Sequence, residues 1–314
     1  MICVVTCLAC QHEGEGKRIS PSARQYLDSA LNIMQHHSIN RAKLDWNTIR
    51  NQALNRADTA RSPRDTYESI RLALKLLGDR HSFFLPPERR EWLRKRTVSE
   101  QLLPTSKEIA PNVGYVSIPG FGGGERAQWD SFATNLQQQI EFMNSKELAG
   151  WVVDLRKNTG GNMWPMLAGI SALLGADTVG AFVSPTGEKH YWVCRAGQTE
   201  SCGTKAPPSV LGDRNLRLAV LIGPSTMSSG EAIAVAFQGR NDTRFFGLHS
   251  RGLSTANEEF LLADSASLIL TISSFADGLG RVYANGVSPD EKVESSNSGE
   301  DLVLVAALRW LTSE

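Results

Sequence analysis

The 314-residue sequence lacks both a long hydrophobic run and an excess of charge of either sign. No apolar stretch approaches the roughly 20 residues that a membrane-spanning helix requires. The 33 basic and 33 acidic side chains balance at pH 7, so the composition predicts no basic surface for nucleic acid or an anionic membrane. With 41% hydrophobic and 21% charged residues, we expect a globular protein of one large or two ordinary domains.

Cysteine is also scarce, and its five positions predict no metal site. Cys3, Cys7 and Cys10 lie near the start without histidines at ligand spacing, which makes a poor zinc site. Cys194 and Cys202 are close enough in sequence for a hairpin disulfide, which would favour an oxidising compartment. Two unpaired buried thiols are the alternative. We expect no metal or organic cofactor.

We expect residues 1–18 to be the remainder of a signal segment or a disordered start. The apolar stretch MICVVTCLACQ is followed by the polar HEGEGK. The letters LAC before Gln11 are similar to a lipoprotein cleavage site, which predicts export, lipidation of Cys10 and association with the periplasm or cell envelope. The basic region of a signal peptide is missing, and Cys7 stands where such a site usually has Leu. The alternative is a disordered start of a cytoplasmic protein.

Residues 19–95 predict an N-terminal helical domain. Apolar residues recur there at three-to-four spacing, which is typical of amphipathic helices. Ser-Pro pairs at 20–21 and 62–63 are typical helix starts, since serine caps the first turn and proline fits the first helical position. Gly78 is expected to end the last of these helices.

Residues 96–314 predict an α/β core, because short β-branched runs alternate with helical segments. Such alternation is typical of a mainly parallel sheet buried between helices. The predicted strands are NVGYVSIPGF, AGWVVDLR, TVGAFVSP, LRLAVLIG, TRFFGLH and SLILTISSF, and the predicted helices are RAQWDSFATNLQQQIEFMNS, MWPMLAGISALLG, SGEAIAVAFQG and the C-terminal EDLVLVAALRWLTSE.

Three stretches carry reactive groups in a suggestive setting. In LIGPSTMSSGEAIAVAF, residues 221–237, a strand enters a hydroxyl-rich turn and leaves as a helix. Such a turn can lift one side chain above the sheet, with the amides of the helix start facing what it attacks. The arrangement is that of a nucleophile elbow, although the G-x-S-x-G pattern is absent. A helix N-cap is the commoner role of such a cluster.

The second stretch is WVVDLRKNTGGNMWPM, in which a strand at residues 151–155 leads to a Gly-Gly loop and Pro165 opens a helix. Paired glycines let backbone N–H groups approach a ligand closely, so the loop could stabilise an oxyanion or bind a phosphate. The P-loop pattern is lacking, and a tight turn without ligand is the alternative. We expect Asp154 and Arg156 to brace the loop as an ion pair.

The third stretch is GDRHSFFLPP, where His81 follows a helix end. By itself a single histidine is more often structural than catalytic. Taken together and in this order, the three stretches resemble the tail-specific or C-terminal-processing serine proteases. The resemblance covers roughly residues 75–295 and implies a ClpP/crotonase-like protease core. It is carried by GDRHSFFLPP, DLRKNTGGN, STMSSGEAIAVAF, FFGLHSRGLSTANEEFLL and ANGVSPDEKV.

The family pattern places the nucleophile three residues before the motif glutamate, so Glu231 selects Ser228 rather than Ser225 or Ser229. The best-known members pair this serine with a lysine. Here Leu253 stands where that lysine would be, and leucine cannot take a proton.

His81 fills the missing role by resemblance to the nisin-resistance-protein and tricorn-core branch, in which a histidine is paired with the serine. An imidazole with an ordinary pKa near 6.5 is suited to remove a hydroxyl proton near neutral pH. In the tricorn branch a glutamate supports the site, whereas Tyr283 lies near that position here. We therefore expect a Ser228/His81 dyad, with backbone or Ser82 orienting the ring.

The resemblance implies a serine endopeptidase that cleaves peptides or unstructured C-terminal segments through an acyl-enzyme. The oxyanion would be held by backbone N–H groups of Gly160 or Gly161 and of Ser229. Many relatives carry a PDZ domain, but too few residues separate His81 from Gly114 for one. The cleft itself must then recognise the substrate.

Two other interpretations stay open. The core is also similar to modules of an interphotoreceptor retinoid-binding protein, so the chain could be a non-catalytic ligand- or peptide-binding protein. Leu253 fits such a loss of catalysis, whereas the presence of Ser228, His81 and the paired glycines does not. A crotonase-like acyl-CoA enzyme is the third possibility, although no feature specific for CoA is evident.

Overall fold

A computed structural model of the protein describes residues 18–99, 102–122, 124–144, 148–175, 178–195, 198–199, 204–205, 216–294 and 299–313. The predictions on the leader with Cys10 and on a disulfide involving Cys202 concern residues outside these ranges. No helix of the described residues combines the length and the apolar character needed to cross a bilayer.

Three α-helices form the N-terminal part, with a short 3-10 helix before each of the second and third. Ser20 caps the first helix as predicted, since its Oγ accepts a hydrogen bond from Ala23 N at 3.2 Å. Gly78 ends the third with a φ of 73°, the left-handed conformation that glycine favours. The helices are α1 (Pro21–His37), α2 (Trp46–Arg56) and α3 (Tyr67–Leu76).

Strands and helices alternate through most of the remaining chain. In order, the elements are β1 (Phe83–Leu85), α4 (Pro87–Ser99), β2 (Thr105–Ala110), β3 (Val113–Ser117), α5 (Arg126–Asn144), β4 (Gly150–Asp154), α6 (Met163–Leu174), β5 (Thr178–Val183), β6 (Lys189–Arg195), β7 (Gln198–Thr199), β8 (Thr204–Lys205), β9 (Arg217–Ile222), α7 (Ser229–Phe237), β10 (Thr243–Gly247), β11 (Thr255–Leu261), β12 (Ser267–Asp277), β13 (Val282–Tyr283), β14 (Glu291–Lys292) and α8 (Leu302–Leu311).

The predicted parallel sheet is present. Its order is β14-β10-β9-β4-β3-β2, and every pair is parallel except β2 with β3. Side chains alternate across it, as strand geometry requires. Trp151 and Val153 lie in the core formed with α5, α6 and α7, whereas Val152 lies in a separate core with α8. The sheet is therefore covered by helices on both faces, and its connections bring the ends of β4 and β9 together.

A second, antiparallel sheet was not predicted from the sequence. It is built around β12, which pairs with β1, β5, β11 and β13, and it continues from β5 through β6, β7 and β8. Its strand β1 belongs to residues 19–95 yet pairs with β12, so the two predicted domains share this sheet.

The N-terminal helices are attached to the turn between β11 and β12. Leu268 and Leu270 of β12 belong to the same hydrophobic core as α1 and α3. Tyr26 and Tyr67 donate hydrogen bonds to the two carboxylate oxygens of Asp264, at 2.7 and 2.5 Å. This attachment fixes the segment between α3 and β1, which contains His81, beside β11.

Candidate active site

The turn after β9 holds Ser228 in a strained conformation. Its φ of 51° and ψ of −121° lie outside the regions that a residue with a side chain ordinarily adopts. Such strain persists where the surrounding structure imposes it, and it is concentrated at functional sites. Helix α7 begins at the next residue, so Ser228 occupies the elbow between strand and helix that the sequence predicted.

The neighbouring hydroxyls brace this turn. Thr226 is fully buried, and its Oγ1 donates to Leu155 O at 2.9 Å. Ser229 Oγ donates to Gly161 O at 2.5 Å. Both bonds tie the turn to the loop after β4. The hydroxyls of Thr226 and Ser229 thus have structural roles, whereas Ser228 is distinguished by its unusual backbone.

Glu231 connects the serine turn to a neighbouring loop through hydrogen bonds, a role that was not predicted from the sequence. Its side chain is fully buried. Burial raises the pKa of this carboxyl above its ordinary value, while hydrogen bonds to it oppose the rise. It accepts from Ser250 Oγ at 2.5 Å, Gly252 N at 2.7 Å, Leu253 N at 2.8 Å and Ser228 N at 3.0 Å. One carboxylate thus joins the serine turn to the 250–253 loop.

The glycine loop lies directly against the serine turn. A Cβ added to Gly160 would lie 2.9 Å from Ser228 Cβ and 3.2 Å from Ser229 N. Gly160 N–H donates to Asn158 Oδ1 at 3.0 Å, whereas Gly161 N–H has no acceptor among the described residues. Ser229 N–H, as the first of α7, has no intrahelical acceptor. Of the two glycines, Gly161 is therefore the one whose N–H can face a ligand.

The ion pair predicted for this loop is present, but the following helix starts two residues earlier than predicted. Arg156 Nη2 lies 2.6 Å from Asp154 Oδ2, so the predicted ion pair is present, and Arg156 also binds Asp301 at 2.7 Å. Helix α6 begins at Met163 rather than at Pro165, because Asn162 caps it by accepting from Trp164 N at 3.1 Å. The helix starts before its proline.

His81 sits in a turn that Asp79 holds. Asp79 Oδ1 accepts from His81 N at 3.0 Å and from Ser82 N at 2.6 Å, and Asp79 Oδ2 accepts from Ser82 Oγ at 2.8 Å. Ser82 therefore does not orient the imidazole, contrary to expectation. Thr255 does, since its Oγ1 lies 2.8 Å from His81 Nδ1. Burial lowers the pKa of His81 below its ordinary 6.5, and the negative charge of Asp79 partly opposes this.

The structure connects His81 to the pocket of Ser228 through Thr255 but shows no direct contact between His81 and Ser228. Among the described residues there is no hydrogen bond between the Ser228 hydroxyl and the His81 ring. Thr255 and Ser228 line the same pocket of about 200 Å³. The imidazole thus contacts a side chain that lines the same pocket as the serine.

The remaining expected positions are accounted for. Leu253 is half-buried beside the site and contributes its backbone N–H to Glu231. Tyr283, near the position of the tricorn-branch glutamate, donates its hydroxyl to Asp277 Oδ2 at 2.9 Å. Within the described ranges, no group of three or more His, Cys, Asp and Glu side chains is arranged to hold a metal ion.

Comparison with known proteins also indicates a peptidase. Residues 112–293, more than half of the chain, match the model of peptidase family S41. The chain is 27% identical over 300 residues to a nisin-resistance protein of Lactococcus lactis subsp. lactis, covering 94% of this chain and 89% of that protein.

Solved structures share the fold. A lipoprotein from Streptococcus agalactiae superposes with a TM-score of 0.77 at 24% identity, covering 93% of this chain and 97% of that one. A photosystem II D1 C-terminal processing protease superposes with a TM-score of 0.63 at 16% identity, covering 94% and 98%. Together with the family match and the strained serine between a glycine loop and a helix start, the conclusion is that this chain belongs to peptidase family S41 and is a serine-type peptidase.

Proposed function

We propose that the protein is a serine endopeptidase that works through an acyl-enzyme, with Ser228 as nucleophile and His81 as general base. The observation that carries the proposal is the backbone of Ser228, which holds the side chain at an elbow above the sheet with a φ of 51°. Ser228 is also the N-cap of α7, but capping does not require this backbone, since the N-cap residues Asn162 and Asp301 have φ values of −89° and −81°. Placing a nucleophile is a purpose that requires it.

His81 is suited to the role of base by its protonation state. Partial burial lowers the pKa of His81 below 6.5, so the imidazole is mostly neutral at pH 7 and can accept the Ser228 proton. In the tautomer that donates Nδ1–H to Thr255 Oγ1, the lone pair is on Nε2, the nitrogen left for the serine. A movement of the ring or of the serine on substrate binding would form the Ser228–His81 hydrogen bond, since such bonds often tighten only in the substrate complex.

The reaction then follows acyl transfer to water. Ser228 Oγ attacks the peptide carbonyl while His81 takes its proton. The N–H groups of Gly161 and Ser229 would hold the oxyanion, and removal of one such donor typically raises the barrier by about 3–4 kcal/mol. His81 next protonates the leaving amine, and water, deprotonated by His81, releases the acyl group.

The lining of the pocket beside Ser228 supports a preference for substrates with an apolar side chain next to the scissile bond. Its volume is about 200 Å³, and its walls include four large apolar side chains. A buried apolar wall favours an apolar substrate residue over a charged one. These walls are Met163, Trp164, Phe182 and Phe275.

The substrate class we propose is a peptide or an unstructured protein tail. The pocket beside Ser228 is bordered by the glycine loop and by β11, and no PDZ-sized segment lies between His81 and Gly114. The name of the related nisin-resistance protein supports a peptide antibiotic as one member of this class. C-terminal processing is supported by the name of a structural neighbour.

We further propose that the protein works at the cell envelope. The related structure from Streptococcus agalactiae is called a lipoprotein, and the sequence before Gln11 resembles a lipoprotein cleavage site. Attachment through a lipid on Cys10 would anchor the protein. Metabolic labelling with a radioactive or clickable fatty acid, compared between wild type and Cys10→Ser, tests this.

Hydrolysis of internally quenched, unstructured peptides by wild type and by Ser228→Ala tests the proposed function. We expect turnover by wild type and its loss in the variant, with mass spectrometry locating the cut after an apolar residue. Saturable binding of the peptides by both proteins without any cleavage would overturn the proposal in favour of a peptide-binding protein.

A further inference from the structure

His81 lies in a segment without regular secondary structure, so side chains must hold its backbone. The segment joins α3, which ends at Leu76, to β1, which begins at Phe83. Backbone N–H and C=O groups that no helix or strand satisfies need other partners where water is restricted. The partners of the His81 backbone are Asp79 and Asn257, and Asn257 takes no part in the chemical steps of the reaction.

Asn257 binds the carbonyl side of His81. Its Nδ2 donates to His81 O at 2.9 Å, whereas Asp79 Oδ1 accepts from His81 N at 3.0 Å. The ring is bound separately, because Thr255 Oγ1 lies 2.8 Å from Nδ1. His81 is therefore held at its N–H, at its C=O and at its imidazole. Without the Asn257 contact, the peptide group that follows His81 can rotate, and the imidazole moves with it.

Thr255 and Asn257 make their contacts with His81 from one strand. They are two positions apart on β11, so their side chains lie on the same face of the sheet. Both residues also line the pocket of Ser228. The position of the imidazole relative to this pocket is therefore set by a single strand, through the ring on one side and the backbone on the other.

Thr271 fixes the orientation of the Asn257 amide. It lies directly opposite Asn257 in the antiparallel pairing of β11 with β12. Thr271 Oγ1 is 3.1 Å from Asn257 Oδ1 and 3.0 Å from Asp79 Oδ1, so its one proton has two acceptors within reach. A hydroxyl at Oδ1 leaves Nδ2 for the carbonyl of His81. These contacts close a ring through Asp79, His81, Asn257 and Thr271.

A β-bulge lies between the two contacts that β11 makes with His81. Asn257 pairs with Thr271, but the residue before Asn257 pairs with Ser273, so Ile272 is the extra residue of β12. Bulges are over-represented beside active sites, where they change the direction of a side chain. The irregular part of the two strands thus coincides with the positions that hold the base.

We propose that Asn257 is a positioning residue of the peptidase, which keeps the His81 imidazole where Nε2 serves Ser228 by binding the His81 carbonyl. The proposal rests on the Ser228/His81 function above and adds to it a residue that transfers no proton. Such support matters because a displacement of about 1 Å can slow a reaction about 100-fold. Since Asn257 acts on the base, its loss should lower kcat rather than raise KM.

The test removes the Asn257 amide both with and without the imidazole. Asn257→Leu keeps a similar size and removes both polar groups. The rate of fluorophosphonate labelling at Ser228 is measured for four full-length proteins: wild type, Asn257→Leu, His81→Ala and the double variant. For wild type and Asn257→Leu, kcat and KM are also measured with an internally quenched peptide.

We expect Asn257→Leu to lower kcat and the labelling rate about tenfold, which corresponds to one lost hydrogen bond, and to leave KM nearly unchanged. In His81→Ala the same substitution should have no further effect, because no imidazole is left to position. An equal loss in both backgrounds would make Asn257 a merely structural residue, and a change confined to KM would make it a substrate contact. Either result would overturn the proposal.

Gln139 on α5 provides a matched control. It is also half-buried, and its side-chain amide also donates to a main-chain carbonyl, from Nε2 to Pro104 O at 2.8 Å. Gln139→Leu should leave kcat near that of wild type. A loss of kcat as large as that of Asn257→Leu would show that any such hydrogen bond has this effect and would overturn the proposal.

A milder substitution keeps the test decisive if the melting temperature shows that Asn257→Leu does not fold. Thr271→Val removes only the hydroxyl that orients the Asn257 amide. It should lower kcat, and Thr271→Ser should restore it. A loss in Thr271→Val that persists in the His81→Ala background would overturn the proposal.

The two proposals fail in different ways. Labelling of His81→Ala at the wild-type rate would overturn the Ser228/His81 function itself. Slow labelling of His81→Ala that Asn257→Leu slows again by the full factor would keep that function and overturn only the role of Asn257.

Discussion

His81 Nδ1 lies 2.8 Å from Thr255 Oγ1, a contact that joins residues 174 positions apart. In many serine proteases a carboxylate occupies this place and stabilises the imidazolium that forms. A hydroxyl can orient the ring but carries no charge. Burial lowers the pKa of the ring and the charge of Asp79 only partly opposes this, so the imidazole stays neutral to lower pH than an exposed one.

The first prediction concerns the pH dependence of catalysis. The active form of His81 is deprotonated, and burial lowers its pKa below 6.5, so kcat/KM should rise with pH through a midpoint below 6.5. Peptide hydrolysis measured from about pH 4 to pH 9 gives this midpoint. A midpoint at or above 6.5 would contradict a buried imidazole paired with a neutral hydroxyl.

The second prediction concerns Thr255 as a positioning residue. Thr255→Val keeps the shape and removes the hydroxyl, so kcat/KM should fall about tenfold through the loss of one hydrogen bond. Thr255→Ser should restore most of it. Thr255→Asp should move the midpoint of the pH profile upward, because a carboxylate favours the imidazolium. A purely structural role would leave the pH profile of the aspartate variant unchanged.

The third prediction concerns Glu231, whose carboxylate accepts four hydrogen bonds. Glu231→Gln replaces one accepting oxygen with a donor and leaves buried N–H groups without partners. We expect the free energy of unfolding to fall by about 2–4 kcal/mol and peptide hydrolysis to be largely lost. Chemical denaturation measures the former. Glu258→Gln, at an exposed carboxylate on β11, should alter neither, and a stable, active Glu231→Gln would refute the role assigned to Glu231.

The fourth prediction compares two glycines with similar backbone conformations. Gly161 and Gly187 have φ values of 109° and 87°. A Cβ would lie 1.9 Å from Phe121 O at Gly161 but contacts nothing within 4 Å at Gly187. Gly187→Ala should cost about 1–2 kcal/mol of stability and keep activity. Gly161→Ala should cost more and abolish hydrolysis, and equal behaviour of both would argue against the proposed oxyanion loop.

Much of the fold could be predicted from the sequence because its patterns are local. The central strands β4 and β9 of the parallel sheet lie in nearly continuous apolar runs, and Ser20 and Gly78 mark helix ends through short-range hydrogen bonding and backbone conformation. Two strands of the antiparallel sheet, β5 and β12, were predicted as strands, but their antiparallel pairing was not, and four others, such as Phe83–Leu85, are only two or three residues long. Strands this short have too little alternation to be recognised.

The candidate site was predictable only where a motif marks it. Ser228 was selected by its distance from Glu231 along the chain, and the structure adds the strain that distinguishes it from neighbouring serines. Thr255 was not predicted, since its contact with His81 depends on how α1 and α3 attach to β12. The availability of Gly161 rather than Gly160 depends on one side chain, Asn158. Neither feature has a signal in the sequence.

The most direct test of the Ser228/His81 pair is the rate at which a fluorophosphonate reacts with Ser228 in wild type and in His81→Ala, followed by mass spectrometry of the labelled peptide. We predict labelling of Ser228 in wild type, with a pH midpoint below 6.5, and a rate lower by about 100- to 10,000-fold in the variant. Reaction of His81→Ala at the wild-type rate, or labelling at another residue, would contradict the account.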